Sequence, residues 1–147
     1  MYRNILVPTD GSRLSDKAIR EALVLAKAGG AKLILFHVVQ PYQAPVYVEG
    51  ISLPNLPRQK AAKALAGKAR RVLAAAGKKV ESAGVPASTE WAISVSPHEA
   101  IVAIARKRKC DLIVMASHGR SGLSRLLLGS ETQAVLSHVN VPVLVVR

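Results

Sequence analysis

The chain has 147 residues, half of them hydrophobic, and its 21 lysines and arginines outnumber nine aspartates and glutamates to give a formal net charge of +12. This length suits one domain with a substantial core, and no apolar run approaches the roughly 18 residues of a membrane-spanning helix. The N-terminal segment lacks an apolar stretch long enough for a signal peptide. We therefore expect a single cytoplasmic domain over residues 1–147 without a membrane partner.

The positive charge favours anionic partners, such as phosphorylated ligands or nucleic acid. The five aromatic residues are scattered through the sequence, so no stacking platform for single-stranded bases is predicted. The single cysteine, Cys110, excludes an internal disulfide, and the four histidines do not have the spacing of metal ligands. Nucleic-acid binding is therefore an alternative that the composition allows but does not favour.

The first half of the chain predicts a strand, a helix and a second strand. The first strand covers Asn4 to Val7 and ends in the turn-forming residues Pro8 to Ser12. Apolar residues at three- and four-residue steps predict a helix from about Leu14 to Ala28, which Gly29 and Gly30 end. The second strand, Lys32 to Val39, is apolar nearly throughout, which is typical of a strand covered on both faces.

Four prolines between Gln40 and Pro57 predict an irregular loop that is longer than most connections. A helix from about Gln59 to Ala83 follows, with most of its basic residues outward. Its predicted inner face consists of Ala62, Leu65, Ala69, Val72, Leu73, Ala76 and Val80. The third strand, Ala87 to Ser94, carries Ser88 and Glu90, which indicate an edge position.

The next helix has a strong start signal, with Ser96 as N-cap, Pro97 at the first position and Glu99 completing a capping box. Asp111 to Met115 is the fourth strand and Pro142 to Val146 the fifth. Five strands thus alternate with four main helices. Right-handed crossovers between parallel strands then predict an α/β fold, a three-layer α/β/α sandwich around an open parallel sheet.

The segment from Met115 to Gln133 joins the fourth strand to the last helix, and ligands of parallel α/β sheets bind at such junctions. Gly129 and Ser130 open that helix, whose first N–H groups have no partner within the helix and can hold an anion. The alternative is structural, because Ser130 and Gln133 have the spacing of a capping box and Gly129 could serve only the turn.

The whole chain resembles the universal stress protein family. The matching residues are Ile5 to Ser12, His37 and Val38, Asp111 to Gly119, Leu126 to Ser130, and Val141 to Arg147. The resemblance implies a five-stranded sheet of order 3-2-1-4-5 and, in the nucleotide-binding branch, ATP held by the motif G-x-x-G-x9-G-(S/T). In this chain Ala116 replaces the first glycine of the motif, whereas Gly119, Gly129 and Ser130 match it.

The resemblance also implies a role for each site residue. The adenosine side is lined by Pro8, Thr9 and Asp10, the adenine meets the backbone of Val38, and the ribose lies along Met115 and Ala116. The phosphates are held by Gly119, Gly129 and Ser130. Further candidates are His118, Arg120 and Arg125, for which a solvent-facing loop position is the alternative, and Glu131, which either repels the phosphates or coordinates Mg²⁺ with them.

The sequence offers no obvious general base for hydrolysis, and the motifs G-x-x-x-x-G-K-(S/T) and G-x-G-x-x-G are absent. The resemblance therefore implies a stress-response protein that binds ATP, ADP or AMP, with Mg²⁺, and senses or stores a nucleotide state with slow or no hydrolysis. The alternatives are a basic module that binds anions or nucleic acid and a weak ATPase.

A homodimer is also expected. The last strand, Val143 to Val146, is apolar on both faces although it should lie at the sheet edge, and in the resembling family this strand pairs across a two-fold axis. The alternative is a monomer in which the edge is covered.

Overall fold

The computed structural model describes residues 1–41, 58–120 and 127–147. In this part of the chain the strands are β1 (Asn4–Pro8), β2 (Lys32–Val39), β3 (Ala87–Ile93), β4 (Leu112–Ala116) and β5 (Val143–Val146). The helices are α1 (Arg13–Gly29), α2 (Arg58–Ser82), α3 (Pro97–Lys107) and α4 (Ser130–His138). The predicted elements are confirmed to within a residue or two at their ends, and most of the predicted loop from Gln40 to Pro57 lies outside the described residues.

All five strands form one parallel sheet of order β3-β2-β1-β4-β5, as expected. The strand order reverses at β1, which pairs with β2 on one side and β4 on the other. The carboxyl ends of these three strands therefore lie side by side at one edge of the sheet, where a doubly wound fold leaves room for a ligand.

Two apolar layers cover the sheet because successive strand residues point to opposite faces. Ile5 and Val7 belong to the cluster that packs against α1 and α2, and the intervening Leu6 belongs to the cluster on the side of α3 and α4. The three-layer sandwich is thus confirmed. Within the described residues, no helix combines the length and the hydropathy that crossing a bilayer requires.

The edge position predicted for β3 is also confirmed. The guanidinium of Arg108, just after α3, donates to the Ser88 hydroxyl at 3.1 Å and to the Glu90 carboxylate. Lys107 lies 3.6 Å from the same carboxylate. The basic end of α3 therefore neutralises the acidic residue of an edge strand.

The predicted capping box of α3 is wrong. Ser96 is the N-cap, but its hydroxyl lies 3.3 Å from the Nδ1 of His98 and caps no backbone N–H of the helix, and its own N–H donates to Ser94 rather than to Glu99. The N–H of His98 instead donates to the Glu131 carboxylate of α4 at 2.7 Å. The tertiary contact replaces the local one because a carboxylate from α4 reaches the N-terminus of α3, where negative charge is favoured.

One residue of the predicted inner face of α2, Ala62, is exposed, whereas Ala69, Leu73, Ala76 and Val80 are buried. The 25 residues of α2 extend over about 38 Å at 1.5 Å each. The eight residues of β2 extend over only about 26 Å. The first turns of α2 therefore run past the sheet and find no apolar layer to bury them.

Candidate functional site

A crevice of about 690 Å³ lies at the carboxyl ends of β1, β2 and β4. All the candidate residues that the structure describes line this crevice, although they come from six separate elements and loops. They are Pro8, Thr9, Asp10, Val38, Met115, Ala116, His118, Gly119, Arg120, Gly129, Ser130 and Glu131. The twelve residues thus share one crevice, and the remaining candidate, Arg125, lies outside the described residues.

The loop after β1 is tied to the loop after β4 by Asp10. One oxygen of its carboxylate accepts from the N–H of Ser12 at 2.9 Å and the other from the N–H of Arg120 at 3.0 Å. Burial by itself would raise the pKa of Asp10, but the hydrogen bonds from Ser12, Ser15 and Arg120 outweigh it, and the pKa lies below its ordinary value. Asp10 is therefore ionised at neutral pH and holds two walls of the crevice together.

Thr9 continues the sheet past the end of β1, because its N–H donates to the carbonyl of Phe36 at 2.8 Å. Its hydroxyl is buried and lies 3.0 Å from the hydroxyl of Ser15. The hydroxyl of Ser12 caps α1 by accepting from the N–H of Ser15 at 3.2 Å. This part of the crevice wall is fixed by its own hydrogen bonds before any ligand arrives.

His37 lines the crevice and was not among the predicted site residues. Its side chain is 5% exposed, and its Nδ1 lies 2.8 Å from the carbonyl oxygen of Thr9. A carbonyl oxygen only accepts, so Nδ1 carries the hydrogen and Nε2 of the neutral ring presents a lone pair. This Nε2 is buried without a hydrogen-bond partner among the described residues. Buried polar atoms are rarely left so, and a ligand donor would satisfy this one.

Gly119 and Gly129 lie where neighbouring groups of the protein come close to the backbone. A Cβ at Gly119 would lie 2.9 Å from a carboxylate oxygen of Asp10, and a Cβ at Gly129 would lie 3.2 Å from the carbonyl oxygen of Ser117. Neither glycine has a positive φ. Close contacts within the protein, and not left-handed backbone geometry, therefore favour glycine at these two positions.

Ala116 ends β4 and has the extended geometry of a strand residue. Its carbonyl oxygen accepts from the Thr132 hydroxyl at 3.0 Å, which anchors α4 to β4. Alanine therefore occupies this motif position without backbone strain. Met115 before it is buried in the layer shared with α3 and α4.

The N-terminus of α4 opens onto the crevice, and no side chain of the described residues caps it. Gly129 is the N-cap, and Ser130 is the first helical residue. The capping box that was the structural alternative for Ser130 and Gln133 does not form, because the Gln133 amide donates instead to the carbonyl of Leu128 at 2.8 Å. The first turn of α4 therefore keeps the N–H groups and partial positive charge that bind anions.

The carboxylate of Glu131 is directed to α3. It accepts from the N–H of His98 and lies 3.2 Å from the Nδ1 of that imidazole. This contact assigns Glu131 a structural task that its position at the start of α4 does not predict.

His118 lies with its Nδ1 3.1 Å from the Ser117 hydroxyl. The other lining residues that sequence reasoning missed are Ser15, Phe36, Val39, Gln40, Lys68, Pro97, Ile101, Leu127, Leu128 and Thr132. Of all the missed lining residues, only His37 carried a signal in the sequence, because it is a polar residue inside an apolar strand. Lys68 and Ile101 carry no local signal, because only the packing of α2 and α3 brings them to the crevice.

The doubly wound sheet and the crevice at its switch point define a class of α/β proteins that bind ligands at strand ends. A model of the universal stress protein family matches residues 1–147. The universal stress protein MJ0531 of Methanocaldococcus jannaschii is 35% identical over 150 residues, which cover 100% of this chain and 83% of that protein. The chain belongs to the universal stress protein family.

Solved structures agree in fold. The structure of MJ0577, also from Methanocaldococcus jannaschii, has a TM-score of 0.80 and 29% identity, covering 99% of this chain and 96% of that one. A crystal structure of a universal stress protein in complex with cAMP has a TM-score of 0.70 and 27% identity, covering 99% and 97% of the two chains.

Proposed function

We propose that this chain binds an adenine nucleotide, ATP above all, in the crevice between β1 and β4. The observation that carries the proposal is that the uncapped N-terminus of α4 and the unpartnered Nε2 of His37 belong to the same crevice. The first offers N–H donors to phosphate, and the second offers an acceptor to a ligand N–H or O–H group. The similar protein that binds cAMP supports an adenine nucleotide as the ligand.

The lining residues include an apolar group and a polar group, which match the base and the phosphates of a nucleotide. The apolar side chains of Phe36, Met115 and Ile101 offer surface to a base, and Val38, near the end of β2, lines the same crevice. Gly119, Gly129 and Ser130 of the same crevice offer backbone to the ligand, and the uncapped start of α4 suits phosphates. We assign the adenosine to the first group and the phosphates to the second.

In this proposal Mg²⁺ binds mainly to the phosphates of ATP. The two nearest carboxylates, Asp10 and Glu131, already accept hydrogen bonds from backbone N–H groups. Neither of them is positioned as a general base by these contacts, and hydrolysis needs a group that activates or orients water. We therefore assign the protein a sensing or regulatory role in the cytoplasm, with slow or no turnover of ATP.

The protein acts as a homodimer in this proposal. β5 is the last strand of the sheet and bonds to β4 on one side only. Leu144 at its centre is 39% exposed, and Leu136 of the adjoining α4 is 41% exposed. An apolar edge strand of this kind is a template for a second copy related by a two-fold axis.

Two measurements test the nucleotide site. Mass spectrometry of the small molecule released when freshly purified protein is denatured identifies the ligand. Hydrogen exchange with saturating ATP and Mg²⁺ should slow between Met115 and Ser130, because backbone N–H groups there bond to phosphates. Unchanged exchange in this segment at saturating ATP would count against the site.

A further inference from the structure

A second cavity of about 370 Å³ lies beside the crevice, in the groove between the start of α1 and the middle of α2. Six of its lining residues, from Lys68 to Lys79, lie along one stripe of α2. They are Lys68, Arg71, Val72, Ala75, Ala76 and Lys79. The opposite wall comes from the loop after β1, from Asp16 of α1 and from Arg120. We call this cavity the α1–α2 groove.

The α1–α2 groove is strongly positive. Four cationic side chains line it and one carboxylate does, that of Asp16, which is paired with Lys79 at 2.6 Å. Lys68, Arg71 and Arg120 have no carboxylate within 4.0 Å among the described residues. The sequence of α2 contains eight lysines and arginines and only one acidic residue, so much of the net charge of +12 is on this helix. Such a field concentrates multivalent anions.

Gly11 makes room for one of these cations. A Cβ at Gly11 would lie 3.2 Å from a terminal guanidinium nitrogen of Arg120, and the φ of Gly11 is +78°. The Arg120 side chain thus lies over a bare stretch of backbone inside the groove, while its N–H is held by Asp10. The guanidinium is therefore positioned between the groove and the crevice, and Thr9, Lys68 and Arg120 line both cavities.

We propose that the α1–α2 groove is a second binding site, which takes a polyphosphate chain. Closely spaced phosphates carry several negative charges and bond well to guanidinium and ammonium groups. The site is separate from the phosphate position assigned to Gly119 and Gly129. Two sources supply this chemistry: free inorganic polyphosphate, or the long phosphate tail of a nucleotide whose adenosine occupies the crevice. The second source rests on the proposed function, and the first does not.

Calorimetric titration of inorganic tripolyphosphate into matched variants tests the groove. Ala75→Glu places a carboxylate in the groove, whereas Ala74→Glu adds the same charge to the neighbouring exposed position outside both cavities. Glutamate is a good helix former, so both variants should fold. We expect Ala75→Glu to weaken tripolyphosphate binding by more than about tenfold and Ala74→Glu to have less than a threefold effect, because repulsion acts at close range.

Arg71→Gln and Arg70→Gln form a second matched pair, since both remove one positive charge and only Arg71 lines the groove. Selective weakening by Arg71→Gln supports the site. Equal weakening by both members of either pair, or no binding of tripolyphosphate to the unmodified chain, overturns it.

AMP separates this proposal from the proposed function. The single phosphate of AMP stays in the crevice, so AMP should bind Ala75→Glu and the unmodified chain alike. If AMP binds and tripolyphosphate does not, the nucleotide site in the crevice is supported and the polyphosphate site in the groove is excluded. A dinucleoside tetraphosphate that binds more tightly than AMP, and loses this gain in Ala75→Glu, identifies the nucleotide tail as the source. If tripolyphosphate binds to AMP-saturated protein as tightly as to protein without AMP, free polyphosphate is identified as the source.

Discussion

The carboxylate of Asp10 accepts a hydrogen bond of 3.0 Å from the backbone N–H of Arg120, 110 residues further along the chain. This bond joins the loops that follow β1 and β4, the two strands between which the crevice opens. A second bond to the N–H of Ser12 fixes the same carboxylate at the start of α1. The shape of the crevice thus depends on one ionised side chain.

Asp10→Asn should destabilise the protein by about 1 kcal/mol at neutral pH, since an amide replaces a charged acceptor of two N–H bonds. The pKa of Asp10 is lower in the folded protein than its ordinary value of 3.8. The contribution of Asp10 to the stability of the fold is therefore complete at a pH above the ordinary pKa, and it is lost as the pH falls through the pKa of the folded protein. Urea unfolding at pH 7 and pH 3 measures this.

Glu99→Gln is the control for Asp10→Asn. Glu99 is exposed and does not form the capping box that its position suggests. Its replacement should change the free energy of unfolding by less than about 0.5 kcal/mol at either pH. An equal effect of the two substitutions, or an Asp10→Asn effect that grows in acid, would contradict the assigned role of Asp10.

His37→Asn should weaken ATP binding by about tenfold, or roughly 1.4 kcal/mol. The shorter amide can still donate to the carbonyl of Thr9, but nothing replaces the lone pair at Nε2. His37→Gln, whose amide reaches the position of Nε2, should bind ATP more tightly than His37→Asn. Calorimetry on the two variants, with folding checked by circular dichroism, decides the matter; wild-type affinity in both would exclude His37 from ligand contact.

Ala116→Gly should change ATP affinity by less than about tenfold, since the position has extended geometry that alanine already adopts. Gly119→Val and Gly129→Val should lose much more, because even a Cβ at these positions meets Asp10 or the backbone at Ser117. Titration calorimetry compares the three variants. Conversion of a non-binder into a tight binder by Ala116→Gly would show that Ala116 disables the site and that this chain does not itself use ATP.

Leu144→Lys should convert the proposed dimer to a monomer, because it places a charge at the centre of the β5 edge. Val24→Lys is the matched control, since Val24 is an exposed apolar residue of α1, 64% accessible and distant in sequence from β5. Light scattering at micromolar concentration should show monomer mass for the first variant and dimer mass for the second. Monomer mass for the unmodified chain would exclude the dimer at that concentration.

Cys110 should resist alkylation in the folded protein. Burial raises the pKa of its thiol to about 11. At pH 8 the thiolate is then about a hundredfold scarcer than for the ordinary value of 9.0, and the thiolate is the reactive form. Mass spectrometry after iodoacetamide treatment should show slow modification in buffer and rapid modification in urea. Comparable rates in the two solvents would mean that the thiol is accessible.

The sequence determined much of the fold because the signals are local. Apolar runs such as Leu33 to Phe36 are typical of a strand covered on both faces, and the α1 pattern ends at a glycine pair that provides the left-handed cap at Gly30. The resemblance, together with the rule that ligands bind at the strand-order reversal, predicted the twelve crevice residues. Those residues follow strand ends, which a sequence marks well.

The tertiary structure decided what depends on contacts between distant segments. Glu131 bonds to the N–H of His98, Ser96 does not form its predicted capping box, and Ser130 does not form the alternative one, because other acceptors and donors reach the same groups. The orphaned Nε2 of His37 and the cluster of cations between α1 and α2 likewise follow from packing. A sequence gives the spacing of residues along one element, but which side chains meet across elements is set by the way the layers pack.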